Sequence, residues 1–182
     1  MTTLTAGPTD GTLTLHTGVE GRAAKLGHAL TLGLADWTAT AQLDRDTLTG
    51  MELTAVLASL TVDSGEGGVK PLSDKDRRSI RDNALETLKA PKHPEVRVTS
   101  TTVTATASGY DVAVQVSIAG VVRPAVLQVT TTPDGDRVRV SGTTGIVQTE
   151  HGLAPYSAMM GGLKVTDRVE VRLDATVSRP AG

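Results

Sequence analysis

A strict alternation of apolar and polar residues near the C-terminus constrains the fold of this chain more than any other feature. Over residues 168–177 every second residue is apolar, and most of the residues between them are charged. Because successive side chains of a β-strand point to opposite faces, this pattern predicts a strand with one buried and one solvated face. Such a strand belongs in an antiparallel sheet that covers a core on one side.

Similar strand patterns recur along the chain and are separated by turn residues. They cover residues 12–16, 28–34, 37–43, 51–62, 96–107, 111–119, 124–132 and 138–140. The 28 threonines and 21 valines favour strands, since β-branched side chains fit a pleated sheet better than a helix. About eight short strands without alternating helices predict an all-β antiparallel barrel or a sandwich.

One stretch, residues 73–89, departs from the alternating pattern. Its apolar residues recur at helical spacing: Ile80, Ala84, Leu85 and Leu88. Ser73 suits the N-cap of a helix, and Asp76, three residues later, supplies the second half of a capping box. The sequence therefore predicts one α-helix inserted into the sheet.

Nothing in the composition divides the chain, so we expect a single domain over residues 1–182, with its core at about residues 11–178. Residues 1–10 lack the basic and apolar regions of a signal peptide. We expect a cytoplasmic protein, or a periplasmic or secreted one if a leader was removed. A homodimer is the default assembly.

Composition also excludes several classes of function. The chain has no cysteine, which removes disulfides, thiolate zinc sites, iron–sulfur clusters and cysteine nucleophiles. A net charge of -2 and an aromatic content of 2% argue against a nucleic-acid partner, which requires a basic face or stacking rings. No apolar run approaches the roughly 18 residues of a membrane-spanning helix. We therefore expect neither nucleic acid as a partner nor a membrane span.

No catalytic or metal-binding set is evident in the sequence. The histidines are His16, His28, His93 and His151. None of them lies at metal-site spacing from another, and Ser157 lacks the glycines of a nucleophile elbow. The glycine-rich residues 65–68 lack the ending of a phosphate loop, and we expect a flexible loop there. We accordingly expect no metal, no cofactor and no catalytic residue.

The shortage of large side chains raises the question of what fills a barrel. A barrel of about eight strands either packs its interior or holds one small ligand. With no Phe and one Trp, the interior is left to Val, Ala, Thr and Leu, which fill less volume. The residues alone leave two outcomes open: an apolar cavity suited to a lipid tail, or a flattened sandwich without a cavity.

Several segments, which together cover most of the chain, resemble the YceI-like family, the bacterial polyisoprenoid-binding, lipocalin-like proteins. Residues 116–127 are similar to a family segment centred on Gly-Val-x-Arg-Pro, and residues 92–100 to a strand that begins Lys-Tyr-Pro. Residues 149–171 match the closing part of the family pattern. Residues 27–31 and 68–77 resemble one branch of the family.

Four of the positions at which the chain departs from the family pattern bear on the site. Ala119 stands where the family often has His, and Ala29 stands where the branch has Asp. His93 and Val98 stand where the family has aromatic residues. We therefore expect a tunnel whose width differs from that of its relatives.

The resemblance implies a lipocalin-like barrel with a helix near its mouth. The family's lumen holds an isoprenoid, an isoprenoid quinone or a similar lipid-like amphiphile, which implies binding or carrying and no catalysis. Two alternatives remain: a small-molecule enzyme that uses His28 and His151 in the same barrel, and a partner-binding module with a vestigial cavity.

Seven residues are candidates for ligand contact: His28, Trp37, Leu85, Leu88, Tyr156, Met159 and Met160. Methionine adapts to irregular apolar shapes, whereas Trp and Tyr join an apolar body to a polar tip. The two leucines lie on the apolar face of the predicted helix. For each candidate, ordinary packing in the core or under a loop is the competing explanation.

Overall fold

The computed structural model describes residues 1–179 and is mostly antiparallel β-sheet. Within these residues the chain forms one α-helix, α1, over Asp74–Thr87. It also forms fourteen strands: β1 (Thr2–Ala6), β2 (Gly11–His16), β3 (Val19–Glu20), β4 (His28–Leu34), β5 (Trp37–Asp44), β6 (Thr47–Val56), β7 (Leu60–Gly67), β8 (Glu95–Ala105), β9 (Gly109–Ile118), β10 (Val121–Asp134), β11 (Arg137–Val147), β12 (Ser157–Ala158), β13 (Leu163–Val165) and β14 (Arg168–Ser178). Short 3-10 helices cover Ala24–Leu26, Leu57–Ser59, Gln148–His151 and Met159–Gly161.

Eleven of these strands form one curled sheet, and three form a small second sheet. The large sheet has the order β1-β5-β6-β8-β9-β10-β11-β14-β2-β4-β7, and the small sheet has the order β12-β13-β3. The prediction of an all-β, antiparallel, lipocalin-like fold with one inserted helix is confirmed. The strands outnumber the predicted eight or so, because one predicted strand is split by a corner and four short strands lie outside the alternating runs.

A long bent hairpin closes the sheet into a barrel. β4 continues into β5 through residues 35–36, and β6 continues into β7 through the 3-10 turn at Leu57–Ser59. At this corner the Val56 backbone N–H donates to the Asp36 carbonyl oxygen, 2.9 Å away. One half of the hairpin, β5 and β6, pairs with β8, whereas the other half, β4 and β7, pairs with β2. The hairpin therefore joins the two ends of the sheet.

The two outer strands of the sheet are both covered. β1 contacts β14, and helix α1 packs along β7. Arg77 Nη1 donates to the Val62 carbonyl oxygen at 2.6 Å, and Arg81 Nε donates to the Leu60 carbonyl oxygen at 2.9 Å. These bonds pair backbone carbonyls along the edge of β7, which would otherwise be open to another strand. The helix thus closes the side of the barrel.

Helix α1 begins at the capping box that the sequence predicts. The Asp76 backbone N–H donates to the Ser73 hydroxyl at 3.1 Å, and the Ser73 backbone N–H donates to an Asp76 carboxylate oxygen at 2.9 Å. The Ser73 hydroxyl also donates to the Asp76 carboxylate, at 2.7 Å. The two hydrogen bonds that this carboxylate accepts, first from the Ser73 backbone N–H and then from the Ser73 hydroxyl, hold the pKa of Asp76 below its usual value. The Lys70 ammonium nearby lowers that pKa further, so Asp76 is ionised at neutral pH.

Two expectations about strand boundaries were wrong. Residues 65–68, expected to be a flexible loop, lie mostly in β7, which extends to Gly67 and pairs with β4. The run over residues 51–62 is two strands, because the chain turns a corner at Leu57–Ser59. A bend of this kind leaves the alternation of apolar residues nearly intact and is therefore hard to find in the sequence.

Candidate functional site

An apolar cavity of about 580 Å³ occupies the interior of the barrel. The alternation of β4 shows how the sequence builds it, because His28, Leu30, Leu32 and Leu34 all line the lumen. The volume lies within the range of about 300 to 1,000 Å³ that is usual for small-molecule sites. Of the two outcomes that the residues left open, the structure has the cavity and not the flattened sandwich.

The remaining strands contribute apolar side chains in the same alternating way. Their lining residues are mostly Leu and Val: Leu13, Leu15, Met51, Leu53, Val96, Val98, Val114, Val116, Ile118, Leu127, Ile146, Val169, Val171 and Leu173. Val98 lies in a row across the sheet between Leu53 on β6 and Val116 on β9. On β11 the lining residues Gly142 and Thr144 are small and leave the lumen wide.

The lumen is closed at the end where β9 begins. There the fully buried Val112 and the buried Val129 form a cluster with further apolar side chains packed against it. Tyr110 belongs to this plug, and its hydroxyl accepts a hydrogen bond from the Leu48 backbone N–H at 3.3 Å. None of the four residues Leu48, Tyr110, Val112 and Val129 lines the cavity. The cavity therefore ends before it reaches this cluster.

Helix α1 forms one wall of the lumen and contributes polar side chains to it. The lining residues recur every three or four positions: Asp76, Ser79, Ile80, Asn83, Ala84, Thr87 and Leu88. This spacing places them along one face of the helix. The helix therefore presents both a carboxylate and an amide to an otherwise apolar cavity.

Three loops surround the open end of the lumen: residues 22–27, 68–72 and 156–164, here called the mouth loops. The first and the last of these loops are packed side by side, since Gly27 abuts Leu163, and the Ala23 backbone N–H donates to the Gly162 carbonyl oxygen at 2.7 Å. Three hydrophobic residues of these loops line the cavity and are also exposed to solvent: Leu26, Val69 and Tyr156. They mark where the cavity meets solvent.

Polar groups are concentrated near this mouth. His28 Nε2 lies 2.9 Å from the Lys70 carbonyl oxygen. Because a carbonyl oxygen only accepts, Nε2 must carry the proton of this bond, which assigns the tautomer of the neutral ring. Lys70, Asp76 and Lys164 also line the cavity. The site thus combines a long apolar interior with a polar rim.

Three of the residues predicted to contact ligand line the cavity. His28 lies at the mouth, Tyr156 lies on the rim, and Leu88 lies on the helix wall. Their contact with a ligand stays a prediction, because the geometry locates the side chains and not a bound molecule.

The other four candidates do not line the cavity. Trp37 is 2% exposed and packs in the cluster at the hairpin corner, where it pairs across strands with Ala55. Leu85 lies on a different face of α1 and packs against that same cluster. Met159 and Met160 project into solvent from the mouth loops, Met159 being 59% exposed and Met160 fully exposed.

The histidines of the enzyme alternative do not converge on one pocket. His151 is 2% exposed, and its Nδ1 lies 3.1 Å from the Val121 carbonyl oxygen, to which it donates. It does not line the cavity, whereas His28 does. Within residues 1–179 no group of three or more His, Cys, Asp or Glu residues is arranged to hold a metal ion. In the same part of the chain, no helix is long and apolar enough to cross a membrane.

Sequence reasoning missed the polar lining of the helix and most of the mouth. The signal for Asp76 and Asn83 was present, since they share the helical spacing of Ile80 and Leu88. Loop residues such as Lys70 carry no periodic signal, and only the three-dimensional fold brings them to the lumen.

The fold and this site can be compared with known proteins. The sequence profile of the YceI-like domain matches residues 8–177. BcnA from Burkholderia cenocepacia is 15% identical in sequence and superposes with a TM-score of 0.67, over 93% of this chain and 96% of that chain. The YceI protein of Campylobacter jejuni is also 15% identical, with a TM-score of 0.60 over 82% of this chain and 85% of that chain. At a sequence identity of 15%, the similarity to these two structures establishes the fold and nothing about the ligand. No protein of curated function matches significantly.

Proposed function

The chain belongs to the YceI-like family, and we propose that it binds an isoprenoid, an isoprenoid quinone or a similar lipid-like amphiphile in the lumen, as a carrier and not as an enzyme. One observation carries the proposal: the lumen is apolar, closed at one end and open at the other through a polar mouth. An amphiphile with one long apolar chain and one polar head has the same division.

The apolar wall supports binding of the chain. A flexible hydrocarbon makes no directional bonds, and its burial contributes about 0.8 kcal/mol per methylene group. The wall formed by residues such as Leu30, Val98 and Val171 offers this contact on all sides. A strongly hydroxylated or charged ligand would instead lose its hydration without gaining hydrogen bonds in this part of the lumen.

The mouth supports binding of a polar head. The Lys70 ammonium can donate a hydrogen bond to a hydroxyl, carbonyl or quinone oxygen, and the ionised Asp76 carboxylate can accept one from a hydroxyl. Because these groups lie at the solvent end, a head bound there keeps part of its hydration. The proposed orientation is therefore head at the mouth and chain inside.

We expect the full chain to take up a long prenol in solution. Protein cleared of bound lipid and incubated with geranylgeraniol or the longer solanesol should show one added prenol per chain in native mass spectrometry. Geraniol, which shares the hydroxyl but buries far less chain, serves as the matched control and should bind much more weakly. If neither long prenol adds to the protein, and freshly purified protein carries no apolar adduct, the proposed function is wrong.

A further inference from the structure

We propose that the mouth loops form a docking surface for a lipid bilayer that contains anionic lipids. The proposal rests on the proposed function in one respect, the cargo that would pass between the bilayer and the lumen. The surface itself is argued from exposure, backbone conformation and charge.

Exposed apolar side chains are concentrated in the mouth loops. Of the eight large hydrophobic residues that are exposed in the described chain, five belong to these loops: Leu26, Val69, Tyr156, Met159 and Met160. Scattered exposed hydrophobic residues are normal, but a cluster of them marks a surface that meets an apolar partner. Leu26, Val69 and Tyr156 of this cluster also line the apolar cavity.

The backbone presents the two methionines outward. Met159 and Met160 have φ values of 53° and 54°, in the left-handed region that residues other than glycine rarely adopt. A strained conformation of this kind persists where the surrounding structure enforces it, often at a functional surface. Methionine is flexible and apolar, and it therefore adapts to the irregular boundary between lipid headgroups and acyl chains.

The charge of the mouth loops selects the partner. They contain four cationic side chains, Arg22, Lys25, Lys70 and Lys164, and no Asp or Glu. The whole chain, in contrast, has 20 acidic residues and a net charge of -2. Asp76 near Lys70 and Glu20 opposite Lys164 still leave this surface with an excess of cations. Exposed apolar side chains beside such an excess fit the interface of an anionic bilayer, which attracts each nearby Lys or Arg. A second copy of this chain fits poorly, because a twofold interface would bring the same cations face to face.

The position of this surface also suits transfer of a lipid. Leu26, Val69 and Tyr156 belong both to the exposed surface and to the cavity wall. A bilayer in contact with this rim would therefore be continuous with the lumen, and an apolar chain could move between them without crossing water.

Vesicle flotation tests the docking surface. The full chain should float with vesicles of equimolar phosphatidylcholine and phosphatidylglycerol and much less with phosphatidylcholine alone. The double variant Met159→Ser and Met160→Ser should reduce the affinity at least about ten-fold, since burial of one such side chain accounts for that much. Arg22→Gln combined with Lys25→Gln should reduce it about five-fold per cation. Binding should also fall in about 1 M salt, where the Debye length is about 3 Å.

Val122→Ser combined with Val126→Ser is the matched control, because both valines are exposed on β10 and neither belongs to the mouth loops. These variants change exposed side chains and should leave the circular dichroism and melting temperature unchanged. The proposal is wrong if the wild-type protein does not bind anionic vesicles. It is wrong, too, if the methionine and valine variants lose the same affinity for these vesicles. It is also wrong if the methionine variant changes only the oligomeric state, which would make the surface an interface between chains. Uptake of prenol from vesicle-free solution tests the proposed function separately.

Discussion

We expect Val98→Phe to weaken binding of a long prenol about thirty-fold while the protein folds as stably as before. Val98 lines the lumen between Leu53 and Val116 in the cross-strand row, so a larger side chain must extend into the cavity. A phenyl ring there displaces roughly three methylene groups of the ligand, equivalent to about 2 kcal/mol after some rearrangement. An open lumen accepts the ring without the strain of overpacking. Titration by native mass spectrometry would measure the loss.

Val126→Phe is the matched control for this change. Val126 is 55% exposed and does not line the cavity, so the same added ring should leave prenol binding unchanged. Equal affinities of the two Phe variants would mean that the chain of the ligand does not lie along the lumen at Val98. The experiment also tests the expectation that this tunnel differs in width from relatives that have an aromatic residue at this position.

The second large effect is on stability. We expect Trp37→Ala to lower the free energy of unfolding by about 3 to 5 kcal/mol, a large part of the roughly 5 to 15 kcal/mol of a typical domain. Trp37 is almost fully buried where the hairpin turns its corner, among Leu34, Leu57 and Leu60. Its removal leaves a void at the point that joins the two ends of the sheet. Urea unfolding followed by circular dichroism measures the change, since the variant has no tryptophan fluorescence.

Trp37→Phe separates the packing role from ligand binding. It keeps an aromatic ring in the cluster and should cost considerably less stability than Trp37→Ala. Because Trp37 does not line the cavity, prenol affinity in this variant should stay within about two-fold of the wild type. A loss of affinity as large as that of Val98→Phe would show that Trp37 contacts the ligand after all.

The strands and the helix were predictable because their side chains alternate with a fixed period. In β4, the apolar residues Leu30, Leu32 and Leu34 all lie on one face, and in the structure that face lines the lumen. The helix predicted over residues 73–89 occupies Asp74–Thr87, since its cap and its spacing are both local features. Such features depend only on residues close together in the chain, and a short stretch of sequence is therefore enough to predict them.

The corner and the mouth were not predictable in this way. The fold of the bent hairpin depends on long-range pairing, because one half, β5–β6, pairs with β8 and the other half, β4–β7, pairs with β2. Trp37 and the two methionines were chosen as candidates for their chemistry, but their positions are set by that long-range pairing. One of them lies in the core and two lie outside the barrel, so residue type alone could not distinguish lumen, core and surface.

The existence of the cavity was left open by composition and is settled by how the sheet curls. Small lining residues such as Gly142 and Thr144 are compatible with a tight sandwich as well as with an open barrel. Helix α1 makes the difference, because Arg77 and Arg81 attach it to the edge of β7, where it forms a wall of the lumen. The volume is therefore a property of the whole fold.

The dependence of affinity on chain length tests the central claim, that the lumen holds an apolar chain, most directly. Dissociation constants would be measured for a series of prenols that share one head and differ by single isoprene units. We predict that each added unit strengthens binding at least about ten-fold, because more methylene groups are buried, until the cavity is full and the affinity levels off. Val98→Phe should bring that plateau to a shorter chain. An affinity that does not change along the series would contradict the account.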